Sequence, residues 1–215
     1  MTSLQRRVWT AVGFIPLLIG AAHLGGLVFF LFFLTIMIGA SWEFYKLMAA
    51  KGVQPSTKTG MFFSIVLMSL TFFTGTEHLD VFLAAFMIWI TLRELFRPTI
   101  TFPIYDIAVT LLGVLYIGWL FCFVVLLREM PGEIGMRYEI GRSFVLYPIL
   151  MAWGCDTSAY FFGKAFGKDK LIPRVSPGKS VQGAVAGFTA AVVMAFVGRW
   201  WFFHDAAGQP LLGIS

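Results

Sequence analysis

The sequence predicts an all-α, polytopic integral membrane protein with about seven transmembrane helices and a polar cavity that faces the cytoplasm. Of its 215 residues, 59% are hydrophobic and only 13% are charged. Soluble domains carry about a quarter charged residues, so this chain lacks the polar side chains needed to cover a surface in water. Several charge-free runs are long enough to cross a bilayer, and most basic residues fall in alternate loops between them.

The first two helices are predicted within one charge-free stretch. The 35 residues of 8–42 carry no formal charge, which is about 52 Å of helix against a hydrocarbon core of about 30 Å. Gly25 and Gly26 near the middle provide a turn, so the spans are expected at 8–24 and 27–44. A secretory signal peptide is the competing interpretation of the N-terminus, but no polar mature region follows the apolar run.

Five further spans are predicted along the rest of the chain. Charge-free windows of 18 to 21 residues cover 59–76, 107–127 and 181–198, and each is long enough to cross. The window 143–163 has the same length but contains one acid. The segment 81–92 has only 12 uncharged residues, so by length alone it also suits a re-entrant or interfacial helix.

The distribution of basic residues favours the seven-span arrangement and sets its orientation. If 81–92 crosses, 12 of the 16 basic residues lie on one side, in the loops 1–7, 45–58, 93–103 and 164–180. By the positive-inside rule these loops face the cytoplasm, which predicts a multi-pass protein of the inner membrane with a cytoplasmic N-terminus. The formal net charge of +5 therefore indicates orientation and contact with anionic lipid, and we expect no nucleic-acid partner.

The segment 153–187 differs from the rest because polar side chains occur within and beside predicted spans. Asp156 lies inside the span 143–163, where an aspartate costs about 2.5–3.5 kcal/mol to insert, so it needs a polar neighbour. A structural pair with Tyr160 or Lys164, which follow at helical spacing, is one interpretation. The other is a carboxylate that binds a divalent cation or a substrate group in a water-filled cleft.

The loop 164–180 is strongly basic, with five basic residues and one acid. It ends in the sequence Ser-Pro-Gly-Lys-Ser at 176–180, directly before an apolar span. Ser180 is a plausible N-cap, Lys179 supplies a cation, and free backbone N–H groups at the start of the helix would suit a phosphate. We expect no strand before this turn, so a nucleotide-binding P-loop domain is not indicated. Charge alone is equally consistent with a loop that only enforces topology.

The run Asp156-Thr-Ser-Ala-Tyr-Phe-Phe-Gly-Lys164, with the later Ser-Pro-Gly-Lys-Ser-x-Gln-Gly at 176–183, resembles the phosphatidate cytidylyltransferase family. The resemblance implies transfer of a cytidylyl group from CTP to phosphatidic acid, with Mg²⁺ as cofactor and CDP-diacylglycerol and pyrophosphate as products. It also implies that this reaction serves phospholipid synthesis and that the residues of the matching segment, 156–183, carry it out. The expected catalytic residues are Asp156, also the metal ligand, with Lys164 and Lys179; the expected substrate-binding residues are Tyr160, Lys168, Lys170, Arg174, Ser176, Gly178, Ser180 and Gln182.

The sequence departs from the family at its C-terminal end. The family's distinctive signature there, with a Pro-Gly-His-Gly-Gly run and an Asp-Arg-x-Asp segment, does not occur in this chain. Residues 1–215 are therefore expected to form a single transmembrane domain that is the N-terminal part of a longer family fold. The resemblance implies further acidic residues of the metal site in the absent part, so the sequence leaves open whether these 215 residues are active by themselves.

Two other functions remain open from the residues. Asp156 also suits a small transporter or flippase component, because intramembrane acids serve proton and substrate pathways. A non-catalytic remnant that binds anionic lipid through 164–180 is the third possibility. The expected partners are CTP, phosphatidic acid, membrane lipid and, as a homodimer, a second copy of the chain.

Overall fold

The computed structural model describes residues 3–98 and 102–204, and the side chains within these ranges from residue 12 onward. These residues are mainly helical, as predicted, with one short two-stranded sheet. The chain divides into two compact units, Met1–Gly135 and Met136–Ser215. In chain order the elements are α1 (Ser3–Leu24), α2 (Gly26–Ala49), α3 (Thr57–Thr74), α4 (Leu79–Leu95), α5 (Pro103–Leu112), a π-helical segment (Gly113–Trp119), α6 (Leu120–Glu133), a 3-10 turn (Tyr138–Ile140), α7 (Gly141–Phe166), β1 (Lys170–Ile172), β2 (Ser176–Ser180) and α8 (Val181–Phe203).

The helices fall where the charge-free windows predict them, which confirms the all-α polytopic class. Within the described residues, four helical stretches are long and apolar enough to cross a membrane, and they are Gly26–Ala49, Thr57–Thr74, Pro103–Glu133 and Val181–Phe203. The number of seven crossings and the cytoplasmic cavity stay predictions. Helix α4 has 17 residues, about 25 Å of helix against a core of about 30 Å, so its full crossing is also still a prediction.

The turn expected between the first two helices is confirmed. Gly25 and Gly26 have φ angles of 64° and 49°, in the left-handed region that favours glycine. Two side chains from the end of α6 bind this turn. Arg128, which is buried, donates from Nε to the carbonyl oxygen of Ala22 at 2.8 Å, and Glu129 accepts from the N–H of Gly26 at 3.1 Å. A cation at the end of α1 and an anion at the start of α2 both complement the helix dipoles.

A tyrosine fixes the packing of α2 against the π-helical segment. Tyr45 is fully buried, and its hydroxyl donates to the carbonyl oxygen of Thr110 at 2.9 Å. Its ring lies against Gly60 of α3 and Gly113 of the π-helical segment, and a Cβ atom on either glycine would overlap the ring. Glycine is therefore required at both positions, because only a bare backbone leaves room for the phenol.

Beyond the C-terminal end of α2, at the end of this unit opposite the Gly25–Gly26 turn, a buried polar cluster joins α4, α5 and the α2–α3 loop. Arg97 donates to Glu94 at 3.1 Å, to Asp106 at 3.2 Å and to the carbonyl oxygen of Gln54 at 2.9 Å. The carboxylates of Glu94 and Asp106 are almost fully buried, and the N–H of Gln54 donates to Asp106 at 2.7 Å. Gln54 of the α2–α3 loop and Arg97, which follows α4, thus meet at one end of the unit, and the seven-span arrangement requires these two loops to lie on the same side.

The second unit is a helical hairpin in which α7 packs along α8 through small residues. Gly183 approaches Gly163 and Ala159 so closely that a Cβ atom on it would lie 3.0 Å from the Cα of Gly163 and 2.7 Å from the carbonyl oxygen of Ala159. Gly187 is equally close to Ala159 and Cys155. Close backbone approach through small residues is typical of helix packing in membranes. Because α8 covers the side of α7 that carries Cys155, Ala159 and Gly163, the other sides of α7 are not covered by α8.

Candidate functional site

The side of α7 that carries Asp156 is not covered by α8, because Asp156 is exposed. Asp156, Tyr160 and Lys164 follow one another at four-residue spacing and are all exposed, so they form one stripe along the helix. Within the described part of its own unit, Asp156 has no hydrogen bond and no ion pair. An unpaired carboxylate is costly at membrane depth. Asp156 therefore requires a polar partner from outside the α7–α8 helix pair.

The structural pairs considered for Asp156 are not formed. Neither Tyr160 nor Lys164 has a hydrogen bond or an ion pair to the carboxylate among the contacts of the described residues, although the helical spacing would allow both. The Tyr160 side chain is 59% exposed and instead makes an edge contact with the ring of Phe161. The interpretation that Asp156 is held in a purely local pair therefore loses its support.

The basic loop contains a β-hairpin, so the expectation that no strand precedes the Ser-Pro-Gly-Lys-Ser turn was wrong. Strands β1 and β2 pair antiparallel, with Lys170 opposite Ser180 and Ile172 opposite Ser176. The strands are too short and too exposed to give an alternating apolar pattern, which is why periodicity missed them. Helix α7 also continues to Phe166, three residues past its expected end, because nothing in the sequence breaks the helix at Gly163.

The basic side chains in and beside the β-hairpin are exposed. The expected site residues of this loop, which are the catalytic Lys179 and the substrate-binding residues, lie just before β1, on β1, in the turn and on β2. All of them except Ser176 and Ser180 are exposed. Ser176 is half-buried and Ser180 is buried. The exposed residues are Lys168, Lys170, Arg174, Gly178 and Lys179.

Ser180 is the N-cap of α8, as predicted. Its Oγ accepts a hydrogen bond from the N–H of Gly183 at 3.2 Å, and the N–H of Val181 donates to the carbonyl oxygen of Asp169 at 2.9 Å. Two of the first three N–H groups of α8 are therefore already bonded inside the protein. The expected open phosphate cradle is only partly present, so the exposed lysines carry more of any anion binding than the helix terminus does.

Gln182 holds the start of the hairpin. Its Oε1 accepts from the N–H groups of Lys168 and Asp169 at 3.1 and 3.3 Å, and its Nε2 donates to the Asp169 carboxylate at 2.7 Å. The sequence left open whether this glutamine orients a substrate or the loop, and its contacts are with the loop. Asp169, which was not among the predicted site residues, accepts the hydrogen bond from Gln182 Nε2.

Replacing Gln182 with alanine is expected to loosen the hairpin without unfolding the helices. Amide hydrogen exchange at Lys168 and Asp169 should become at least about fivefold faster, since one hydrogen bond contributes about 1 kcal/mol. Arg174→Gln, at an exposed position in the turn, is the matched control and should leave these amides unchanged. Unchanged exchange in Gln182→Ala would contradict the role of the glutamine.

The structure brings part of the expected site together. Gly163 packs against Ser180, since a Cβ atom there would lie 3.1 Å from the serine Oγ, so the hairpin sits at the end of α7. Asp156 lies seven residues earlier, about 10 Å along the helix. The carboxylate thus lies in the half of α7 that leads to the basic β-hairpin, without direct contact between the two.

The described residues contain no group of three or more histidine, cysteine, aspartate or glutamate side chains that could hold a metal. Mg²⁺ is commonly bound through one or two carboxylates together with substrate phosphates and water. A single exposed carboxylate such as Asp156 fits one position of that donor set. Any further protein ligand would have to come from another part of the protein.

Fold and site together define a polytopic helical membrane protein whose α7–α8 pair carries a basic β-hairpin and an exposed acid that has no partner in the described part of its unit. The chain belongs to the cytidylyltransferase family, which matches residues 5–213. It is 30% identical over 123 residues to the phosphatidate cytidylyltransferase of Bacillus subtilis, which covers 57% of this chain and 42% of that protein. It is 41% identical over 85 residues to the enzyme of the same name from Haemophilus influenzae, covering 36% of this chain and 30% of the relative.

A longer alignment extends to a more distant relative. The chain is 28% identical over 232 aligned positions to the phosphatidate cytidylyltransferase of Synechocystis, covering 97% of this chain and 78% of that protein. The first two relatives are thus matched over less than half of their own length.

Proposed function

We propose that the protein transfers a cytidylyl group from CTP to phosphatidic acid, forming CDP-diacylglycerol and pyrophosphate for phospholipid synthesis. The observation that carries the proposal is the exposed Asp156 of α7, which has no partner in the described part of its unit and lies about 10 Å along the helix from the contact with the basic β-hairpin, in a chain of the cytidylyltransferase family. In this reaction a phosphate oxygen of the lipid attacks the α-phosphorus of CTP, and the bond to the β-phosphate breaks as pyrophosphate leaves.

The chemistry of the two substrates accounts for the residue types in this unit. Both the attacking lipid and the nucleotide are polyanions, so their approach requires cations that neutralise charge and fix an in-line geometry. Lys164 and Lys179 are assigned to the phosphates that react, and Lys168, Lys170 and Arg174 to the remaining charge of the nucleotide or lipid. Exposed lysines act here as point charges.

The polar side chains around the hairpin take supporting roles. Tyr160 is assigned to a substrate hydrogen bond on the Asp156 stripe, and Ser176 and Gly178 to contact with the substrate along β2. Ser180 and Gln182 act through the hairpin itself, because their side chains are bonded to the start of α8 and to the loop.

Asp156 is assigned as a ligand of Mg²⁺. When bound, the ion supplies positive charge to the triphosphate and a template for its orientation. The protein's part is to hold the carboxylate on a rigid helix at membrane depth, where an acid faces a polar cleft. The cytoplasmic placement of the hairpin and the N-terminus follows from the positive-inside rule, in an inner membrane, and self-association as a homodimer is a further part of the proposal.

The test is CTP-dependent formation of CDP-diacylglycerol from phosphatidic acid in membranes that contain the protein and Mg²⁺. Lys179→Ala should lower kcat/KM by roughly 10- to 100-fold, since a charge-assisted hydrogen bond contributes about 1.5–3 kcal/mol. Lys51→Ala, an exposed lysine of the α2–α3 loop, is the matched control and should leave the rate unchanged. Equal rates in all three proteins would refute the role of the hairpin.

The same preparation separates the other two functions. A transporter should respond to a proton gradient without CTP, and a lipid-binding remnant should bind anionic lipid with steep salt dependence and no response to nucleotide. Either result, with no CDP-diacylglycerol formed, would replace the proposed activity.

A further inference from the structure

The apolar helix formed by α5 and α6 contains the π-helical segment near its middle. Residues Pro103–Glu133 form one continuous helix of 31 residues, and Gly113–Trp119 is its π-helical part. A π-helix closes its hydrogen bonds five residues apart instead of four, so its turn holds about one residue more than an α turn. Such segments are rare and are frequent at functional sites. The proposed reaction assigns no role to this one.

The two flanks of the segment are held by separate contacts. On the α5 side, the carbonyl oxygen of Thr110 accepts from the hydroxyl of Tyr45 at 2.9 Å. On the α6 side, Nε of Arg128 donates to the carbonyl oxygen of Ala22 at 2.8 Å. The π-helical segment is therefore the part of the helix that lies between two anchored ends.

The segment meets α3 at a hydroxyl group that lacks a hydrogen bond. Ser64 is fully buried, and its Oγ has no hydrogen-bond partner among the described residues. Gly118 of the segment packs against it, since a Cβ atom on this glycine would lie 2.8 Å from Ser64 Oγ and 3.3 Å from Ser64 Cα. Leaving a buried donor unpaired destabilises the packing that contains it.

The other hydroxyls of α3 show which bond Ser64 lacks. Thr71 and Thr74 each donate to the carbonyl oxygen four residues earlier, at 2.9 Å. Ser64 does not form the equivalent bond to Gly60 in this packing. Two uncommon features, an extra residue in the helix and an unpaired buried hydroxyl, therefore coincide at the contact between Ser64 and Gly118.

One movement would change both features. If the extra residue of the π turn moved along the helix past Gly118, this glycine would shift by about 1.5 Å and turn by about 100° relative to α3. The Ser64 hydroxyl would then be able to donate to the carbonyl oxygen of Gly60, as the two threonines do in their own turns. The anchored flanks would keep their contacts.

From these observations we infer that Gly113–Trp119 is a register-shift element, in which the extra residue of the π turn moves along the helix and changes the contact between Gly118 and Ser64. Tyr116, which is 62% exposed, would turn by the same angle. The shift therefore alters the surface that the middle of this helix presents to its surroundings. The inference holds whether or not the protein transfers a cytidylyl group.

Deletion of Tyr116 tests whether the helix contains a residue in excess. Removing one residue from a π turn leaves an α turn with both flanks on their original faces. The deletion variant should unfold at or above the temperature of the unaltered protein in detergent. Its amides at 113–122 should exchange hydrogen at least about tenfold more slowly, because a moving π turn breaks its hydrogen bonds and an α turn has no extra residue to move.

Deletion of Phe123 is the matched control, because it removes another exposed aromatic residue from the regular α-helical part of the same helix. This deletion turns the residues that follow by about 100°, which takes Arg128 from its contact with Ala22. It should therefore lower the unfolding temperature clearly.

Ser64→Ala tests the same element without changing the length of the helix. The substitution removes the unpaired hydroxyl, so the packing seen here is favoured over the shifted one. Hydrogen exchange at 113–122 should become slower, and the unfolding temperature should not fall. Thr74→Val is the control, because it removes a hydroxyl of α3 that is already bonded, and it should leave exchange at 113–122 unchanged.

Two results would overturn the inference. If deletion of Tyr116 destabilises the protein as much as deletion of Phe123 does, the helix contains no residue in excess. If exchange at 113–122 is the same in the unaltered protein, the Tyr116 deletion and Ser64→Ala, the π-helical segment does not shift.

Discussion

Asp156→Asn is expected to lower CTP-dependent formation of CDP-diacylglycerol by about 100-fold or more, the scale seen when one electrostatic contributor to a transition state is removed. Asparagine keeps the size and hydrogen-bonding shape of the side chain and removes only the charge. The carboxylate is exposed on α7 with no partner in the described part of its unit, so the substitution breaks no contact there. The measurement is the initial rate at saturating phosphatidic acid across a range of Mg²⁺ concentrations, relative to the unsubstituted protein in the same membranes.

Asp80→Asn provides the control for Asp156→Asn. Asp80 is an exposed acid in the first turn of α4, so its replacement changes the net charge equally and should leave the rate unchanged. Asp156→Glu should recover part of the activity with a shifted Mg²⁺ dependence if the carboxylate binds the metal. A normal rate in Asp156→Asn, with the protein monodisperse in detergent, would remove this residue from the reaction.

The helical framework could be predicted because membrane insertion leaves strong signals in the sequence. Charge-free length located the helices, and the paired glycines at 25 and 26 located a turn that requires positive φ. Short-range polar roles were also predictable. Ser180 caps α8 as its position before an apolar run indicates, and Gln182 orients the loop, one of the two roles that the sequence left open.

Contacts between distant positions could not be predicted. The β-hairpin was missed because its three- and five-residue strands are exposed and lack an alternating pattern. Gly60 and Gly113 are required by the ring of Tyr45, which lies far from both in sequence. Nothing in local sequence identifies such a neighbour.

The hydrogen-bond partners of Asp156 could not be predicted from the sequence either. The sequence indicated that this acid needs a polar neighbour, and helical spacing offered Tyr160 and Lys164. In the structure the stripe is formed but the pairs are not, because side chains on one exposed helical face are free to point away from each other. Spacing therefore predicted which residues share a face and could not predict which of them bond.

The buried cluster around Arg97 was the largest omission. In the sequence, Arg97 counted only as a loop charge that sets topology, and Glu94 and Asp106 were not singled out. The signal that could have located the cluster is an acid beside or within an apolar segment, since a buried carboxylate requires a partner. Helical spacing alone could have suggested Glu94, which is three residues from Arg97, but Asp106 and Gln54 are 9 and 43 residues away along the chain. Only the fold identifies those two partners.

Arg97→Met is expected to destabilise the protein by about 3–5 kcal/mol, because it leaves two buried carboxylates without their cation. The side chains of Glu94 and Asp106 are 2% and 4% exposed and both accept from Arg97, so water cannot replace the lost bonds. The measurement is thermal unfolding in detergent, followed by the loss of the monodisperse peak in size-exclusion chromatography. Glu94→Gln and Asp106→Asn added to Arg97→Met should restore much of the stability, because they remove the unpaired charges.

Arg137→Ala tests whether this effect comes from burial and not from the loss of any arginine. The ion pair of Arg137 with Glu139 is shorter, at 2.8 Å, but the two side chains are 71% and 68% exposed. Exposed pairs contribute between about 0 and 1 kcal/mol, so this variant should unfold close to the temperature of the unsubstituted protein. If Arg97→Met lowers the unfolding temperature as little as Arg137→Ala does, the carboxylates of the cluster are solvated and the expected cost of burial is wrong. In that case the added Glu94→Gln and Asp106→Asn substitutions should restore no stability, because no buried charge would be left to neutralise.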